Sequence, residues 1–245
     1  MSAAATLATA TRVLRQLRRD PRTVALLVVV PALLLTLVRF AINTGNATFD
    51  RFGVPLVGIF PLVSMFLVTS IAVLRERTSG TLERLLTLPV AKLDILAGYG
   101  LAFAGVAALQ GTVLGAVGVG LLGLDSAGPT WFLVVLAVAN AVLGMALGLF
   151  LSAFAATEFQ AVQFMPAFLL PQLVLCGLTV PRPRMAEPLR LLSDVLPLTY
   201  AYRALDSLRT RPGVAGDALA DLGVILAVTL VALGAGAATL RRRTP

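Results

Sequence analysis

The chain has no histidine, one cysteine, one lysine and one tryptophan among its 245 residues. Each shortage removes a class of function. Without histidine there is no imidazole general base and no histidine-ligated metal. With Cys176 alone there is no intrachain disulfide and no cysteine-built metal site. The G-x-x-x-x-G-K-S/T phosphate loop is missing, so the chain does not bind ATP by that route. No pair of carboxylates points to hydrolytic chemistry. Charge is scarce too: Asp, Glu, Lys and Arg make up 13% of the residues, against roughly 25% in soluble domains.

What fills the space is apolar. Hydrophobic residues reach 58% and the mean hydropathy is +0.92. A membrane-crossing helix needs about 20 mostly apolar residues. Runs free of Asp, Glu, Lys and Arg cover 23–38, 52–74, 95–124, 126–157, 159–181 and 222–240. The first is short, but it continues past Arg39, whose long side chain can snorkel to the headgroups. The expected fold is therefore an all-α integral membrane protein, a single transmembrane domain over 1–245. Its six transmembrane helices fall at about 23–42, 53–74, 95–122, 130–154, 160–179 and 219–240. None of these places an ionisable side chain mid-span, which argues against a proton-coupled carrier.

The net charge of +8 has two readings, nucleic-acid binding and membrane topology. The arginines cluster at the ends of apolar runs and not on one solvated face, so topology explains them and no nucleic-acid partner is expected. Lys92 is the only lysine beside the arginines, a bias we read as that of a GC-rich bacterial genome.

Residues 1–22 place Leu7, Ala10, Leu14 and Leu17 at helical spacing, with Arg12, Arg15, Arg18, Arg19 and Arg22 on the other faces. This predicts a basic amphipathic helix on the membrane surface, ended at Asp20-Pro21. The tract does not read as a cleavable signal peptide, because its basic cluster is long and no short apolar core follows. Six spans with the N-terminus inside put twelve of the 20 basic residues on the cytoplasmic side and leave Arg39 and Arg51 outside. The six arginines of the outer loop 180–218 run against the rule. In that loop Leu189, Leu192, Val195 and Leu196 recur at helical spacing, which predicts one or two interfacial or re-entrant helices. Both termini are thus expected in the cytoplasm.

Within the spans, Gly111/Gly115 and Gly144/Gly148 have the GxxxG spacing that lets helix backbones approach closely. Pro31 is expected to kink the first helix. Asn140 is expected to hydrogen-bond a neighbouring helix.

Residues 75–94 interrupt the apolar pattern with "RERTSGTLERLLTLPV". Gly80 suits an N-cap, and Glu83 then falls at the third helical position, where a carboxylate favours the positive end of the helix. Thr81 to Leu88 fit two turns. Leu82, Leu85 and Leu86 share a face, Glu83, Arg84 and Thr87 lie off it, and Pro89 stops the helix. Two turns alone are marginal in water. The apolar face needs a cover: the membrane surface, another part of the chain, or a cytoplasmic partner.

The longer string "RERTSGTLERLLTLPVAKLDILAGY" resembles the signature of permease subunits of type-2 ATP-binding-cassette (ABC) exporters, in particular the drug and antibiotic exporters. In that family an acidic residue at the end of helix 2 precedes a Gly-Thr-Leu-Glu stretch, then a proline, then helix 3. Glu76, Gly80, Thr81, Leu82, Glu83 and Pro89 occupy those positions. "VQFMPAFLLPQLVLCGL" is similar to the family's helix 5, with Pro166, Pro171 and a closing Gly177. "PLRLLSDVLPLTYAYRAL" carries the Pro-Leu-Thr-Tyr segment at Pro197, Leu198, Thr199 and Tyr200. One departure is the Thr78-Ser79 pair before Gly80, which shifts the helix start.

The resemblance implies a permease in a bacterial cytoplasmic membrane, multi-pass, paired with a second permease as a homo- or heterodimer. Two copies of a separate ABC ATPase subunit would bind and hydrolyse the ATP, so this chain would be no enzyme and hold no cofactor. It implies that the stretch is a coupling helix docking into the ATPase, with Arg75, Glu76, Arg77, Gly80, Thr81, Leu82, Glu83, Arg84, Leu85 and Pro89 as its contact residues. Glu158, beside Gln160 and Gln163, is read either as a secondary contact with the ATPase or the substrate, or as a solvated loop charge. The cargo implied is amphiphilic: a drug, an antibiotic or a lipid-like molecule, moved outward. The alternative from another class is a six-helix membrane enzyme or scaffold.

Overall fold

A computed structural model describes residues 2–42, 46–79 and 92–239. All regular structure in them is helical: α1 (Ala3–Arg19), α2 (Pro21–Ala41), α3 (Asn46–Thr78), α4 (Lys92–Ala116), α5 (Thr130–Ser152), α6 (Glu158–Leu175), α7 (Glu187–Val195), α8 (Pro197–Thr210) and α9 (Gly216–Thr239). A π turn, Val117–Leu121, prolongs α4, and a 3₁₀ turn, Arg182–Arg184, precedes α7. Gly80, Thr81, Leu82, Glu83, Arg84, Leu85 and Pro89 lie outside the described residues.

Five helical stretches are long and apolar enough to cross a membrane: Val24–Ala41, Asn46–Thr78, Ala97–Leu121, Thr130–Ser152 and Gly216–Thr239. The remaining expected span corresponds to α6. It is 18 residues long and carries Glu158, three glutamines and two prolines, and it is not among the five.

α5 is the central post. It packs on α3, α4 and α9, and 78% of its apolar stretch is buried, against 17% for α2 at the rim. Leu26, Leu33, Leu37 and Phe40 of α2 face outward, a surface that suits lipid and not water. Lipid tails are as apolar as leucine, so in a membrane close packing holds such helices together more than apolar burial does. The glycines supply it. A Cβ on Gly144 would lie 2.1 Å from the backbone oxygen of Leu62, and one on Gly148 would lie 2.4 Å from that of Phe66. α5 therefore touches the α3 backbone directly, and the Ser70 hydroxyl donates to the Gly148 carbonyl at 3.1 Å. The second GxxxG pair is looser. A Cβ on Gly111 would meet Ala137 at 3.2 Å, and one on Gly115 would meet Val134 at 3.4 Å.

Asn140 departs from its expected role. It is fully buried, yet neither amide atom has a hydrogen-bond partner among the described residues. A Cβ on Gly58 would lie 2.8 Å from the Asn140 Nδ2, so α3 and α5 meet closely at this point too. Arg39 does more than reach outward. Its Nε donates to the Leu122 carbonyl at 3.1 Å, its Nη2 donates to Asn46 at 2.9 Å, and its guanidinium lies 5.2 Å from the Phe49 ring centre. It ties the end of α2 to the π turn and to the start of α3.

The segment between α6 and α9 folds as helices, in keeping with its leucine spacing. Pro197 opens α8, where its missing N–H costs nothing. Thr199 follows, fully buried. Its hydroxyl donates to the Ser193 carbonyl at 2.7 Å, and the Ser193 hydroxyl donates to the Leu175 carbonyl at 2.9 Å. The Tyr200 hydroxyl donates to the Asp194 carbonyl at 2.6 Å. The Pro-Leu-Thr-Tyr segment thus pins the ends of α6 and α7 to the start of α8, and α8 packs against α3, α5 and α9.

Candidate functional site

α3 does not stop at the apolar boundary near Leu74 but continues through Arg75, Glu76 and Arg77 to Thr78. Successive helical residues point about 100° apart, so three charges in a row fan out around the axis and reach three different elements. Arg75 turns to α6. Its Nε and Nη2 donate to the two carboxylate oxygens of Glu158 at 2.8 and 3.0 Å. Glu76 turns to α1 and pairs with Arg12 at 3.2 Å, its own side chain only 13% exposed. Arg77 turns to α5 and donates to the Ser152 carbonyl at 2.7 Å. That carbonyl belongs to the last turn of α5, where carbonyls lack helical partners and a cation is favoured.

The pairs differ in character. Arg75 and Glu158 are 63% and 52% exposed, and the Arg75 hydrogen bond holds the Glu158 carboxyl below its ordinary value. Arg12 is enclosed. One Nη2 reaches Glu76 and also donates to the Tyr99 hydroxyl at 2.7 Å, and the guanidinium lies 5.8 Å from the centre of that ring.

Tyr99 belongs to α4, on the far side of residues 80–91. α1 is fastened to α4 at two further points. The backbone N–H of Ser2 donates to Asp94 at 3.1 Å, and Asp94 sits in the first turn of α4. At Gly98 a Cβ would fall 2.5 Å from the Cβ of Thr9 and 2.8 Å from the Thr6 carbonyl oxygen, so only glycine lets the two helices lie this close. Ala10 and Val13 are buried in this contact, whereas Leu7 and Leu14 stay exposed. The amphipathic helix therefore has two apolar surfaces, one packed on the protein and one turned away from it.

Between α1, α3 and α4 lies a cavity of about 400 Å³. Val13, Leu17, Val68 and Phe103 form apolar walls, and Gln16 and Glu76 stand among the polar lining.

The structure thus makes two separate groupings of residues that the sequence keeps far apart, Arg12 with Glu76 and Tyr99 on one side of α3, and Arg75 with Glu158 on another. All three charges of the Arg75–Arg77 triplet have partners within the chain. Arg12 and Tyr99 were not singled out from the sequence as site residues. Arg12 is one of four arginines in its helix, and nothing local separates it from the rest.

Residues 4–208 match the family model described as ABC-2 type transporter. A stretch of 156 residues is 28% identical to the "Probable multidrug ABC transporter permease YbhR" of Escherichia coli strain K12, and the same figures hold for its counterpart in strain O157:H7. That stretch covers 63% of this chain and 42% of each relative.

Proposed function

The chain belongs to the ABC-2 type transporter family, and from that premise we propose that it is the membrane-spanning permease subunit of an ATP-driven exporter. In this reading six spans cross the bacterial cytoplasmic membrane, α6 included, with both termini in the cytoplasm. A second permease copy or paralogue completes the pathway, and two separate ATPase subunits supply the energy. The cargo is an amphiphilic compound, a drug, an antibiotic or a lipid-like molecule. The relatives' names favour a drug, and a cavity with apolar walls and a polar rim suits such a molecule. The family match carries this reading over a membrane enzyme or scaffold.

The observation that carries the mechanism is the fan of Arg75, Glu76 and Arg77. Residues 80–91 join α3 to α4, and both flanks are clamped by α1. A push from a closing ATPase on the coupling residues Gly80, Thr81, Leu82, Glu83, Arg84, Leu85 and Pro89 then moves α3, α4 and α1 together. Arg75 and Arg77 extend the same push to α6 and α5. Ion pairs and hydrogen bonds transmit a rigid-body displacement because each has one preferred geometry, whereas apolar contacts alone can slide.

The test is co-purification with the cognate ATPase, followed by substrate-stimulated ATP hydrolysis in reconstituted membranes. Leu85→Asp puts a charge on the apolar face and Glu83→Arg reverses a rim charge, and each is expected to weaken assembly or to uncouple hydrolysis from export. Unchanged assembly and export in both variants would refute the coupling role.

A further inference from the structure

At the end of the bundle opposite Arg75 and Glu158 lies a second cavity, of about 420 Å³, lined in part by Arg51, Gly177, Arg182, Tyr202, Asp206 and Arg209. Its three guanidinium groups come from three elements: Arg51 from the first turns of α3, Arg182 from the 3₁₀ turn and Arg209 from the end of α8. Like charges gathered in one hollow repel unless something negative sits among them. Arg182 is paired with Asp194, and Arg209 is paired with Asp206 at 2.9 Å. Arg51 has no acidic partner among the described residues, and its guanidinium lies 5.6 Å from the centre of the Phe52 ring. Two carboxylates therefore stand against three cations.

A donor remains unused in the same hollow. The Tyr202 hydroxyl has no hydrogen-bond partner among the described residues, and it feels Asp206, Arg209 and Arg51 electrostatically. The backbone is shaped to bring these groups together. Gly177 has φ +109°, and a Cβ there would lie 3.0 Å from the Tyr202 ring and 3.4 Å from the Arg182 Cγ. Any other residue would strain the backbone at that φ and crowd the Tyr202 ring.

We propose that this hollow binds an anionic oxygen group, a phosphate or a carboxylate, held by Arg51 and the Tyr202 hydroxyl, with the charges of Arg182 and Arg209 beside them. One excess positive charge with several N–H and O–H donors from separate elements matches a multi-oxygen anion and has no use for a cation or a purely apolar ligand. Such a group can come from an anionic lipid headgroup or from a free anion. The position at the outer membrane face rests on the topology proposed above, but the anion binding itself does not.

The test uses the full chain purified in detergent, without ATPase or nucleotide, so that its outcome is separate from that of the coupling experiment. Native mass spectrometry follows phosphatidylglycerol against phosphatidylcholine, and calorimetry follows inorganic phosphate. The wild type is expected to prefer phosphatidylglycerol about tenfold. Arg51→Gln should remove that preference, Arg51→Lys should keep part of it, and Tyr202→Phe, which leaves the ring in place, should weaken it severalfold. Phosphate binding with the same dependence on Arg51 identifies the free anion as sufficient. A phosphatidylglycerol preference without phosphate binding identifies the lipid headgroup. If neither probe distinguishes the wild type from Arg51→Gln and Tyr202→Phe, the site does not exist.

Discussion

Arg75 and Glu158 stand 83 positions apart in the chain and meet in a two-pronged ion pair that joins the last turn of α3 to the first turn of α6. The Glu158 carboxyl is held below its ordinary value of 4.5, first by the Arg75 hydrogen bond. A carboxyl with a depressed folded-state pKa contributes its stability above the ordinary value and loses it as the pH falls through the lower one. Both groups are more than half exposed, so the tie is worth only a few tenths of a kcal/mol. The α3–α6 junction of the wild type is therefore expected to loosen as the pH drops below 4.5, read as rising mobility of a spin label on the first turn of α6. Glu158→Gln should be mobile at every pH. A wild-type profile identical to that of the variant would remove the pair from the account.

The Arg12–Glu76 pair is more enclosed and should matter more. Removing either partner is expected to cost about 1–2 kcal/mol, between the values for an exposed and a fully buried pair. Denaturant unfolding of Arg12→Ala, Glu76→Ala and the double variant should give a coupling of similar size. Additive losses would show that the contact carries no energy.

Close approach at Gly144 gives the largest expected stability effect. Gly144→Ala forces a Cβ into the Leu62 backbone and should lower stability by about 1–3 kcal/mol or more. Gly115→Ala, where the nearest atom is 3.4 Å away, should be neutral or stabilising, since alanine favours helix over glycine by about 1 kcal/mol. Thermal unfolding in detergent ranks the two, and the reverse order would contradict the packing described.

Thr199→Val keeps the shape of the side chain but takes from the buried Ser193 carbonyl one of its two donors, leaving the Leu196 N–H. The expected loss is about 1 kcal/mol. Thr210→Val on the same helix removes an exposed hydroxyl bonded to the Asp206 carbonyl and should change stability by less than about 0.5 kcal/mol. Equal effects would mean that the Ser193–Thr199 link does not hold α7 to α8.

Much of this architecture is legible in one dimension because its causes are local. Apolar runs bounded by charge follow from the thickness of a bilayer. The break at Asp20-Pro21 follows from the steric bulk of a proline ring, and the observed helices change there, α1 ending at Arg19 and α2 starting at Pro21. The spacing of Gly144 and Gly148 marks a close contact correctly, but spacing alone does not separate it from the looser pair at Gly111 and Gly115. Arg39 shows the opposite limit. Its position near the end of an apolar run suggested a headgroup partner, and the fold gives it Leu122, Asn46 and Phe49 instead.

The sequence by itself determined that this chain is a helical membrane protein whose charges gather at the ends of its spans, because burying a charge in hydrocarbon costs more than any local preference can offset. It also marked residues 75–94 as a stretch whose apolar face needs a cover. Only the tertiary structure decided which charges meet. Arg75 with Glu158, Arg12 with Glu76 and Tyr99, and Arg51 with Arg182 and Tyr202 are each brought together by helix packing across long separations. An ion pair or a shared hollow depends on distances of a few ångströms in space, which residue numbers along a chain do not contain.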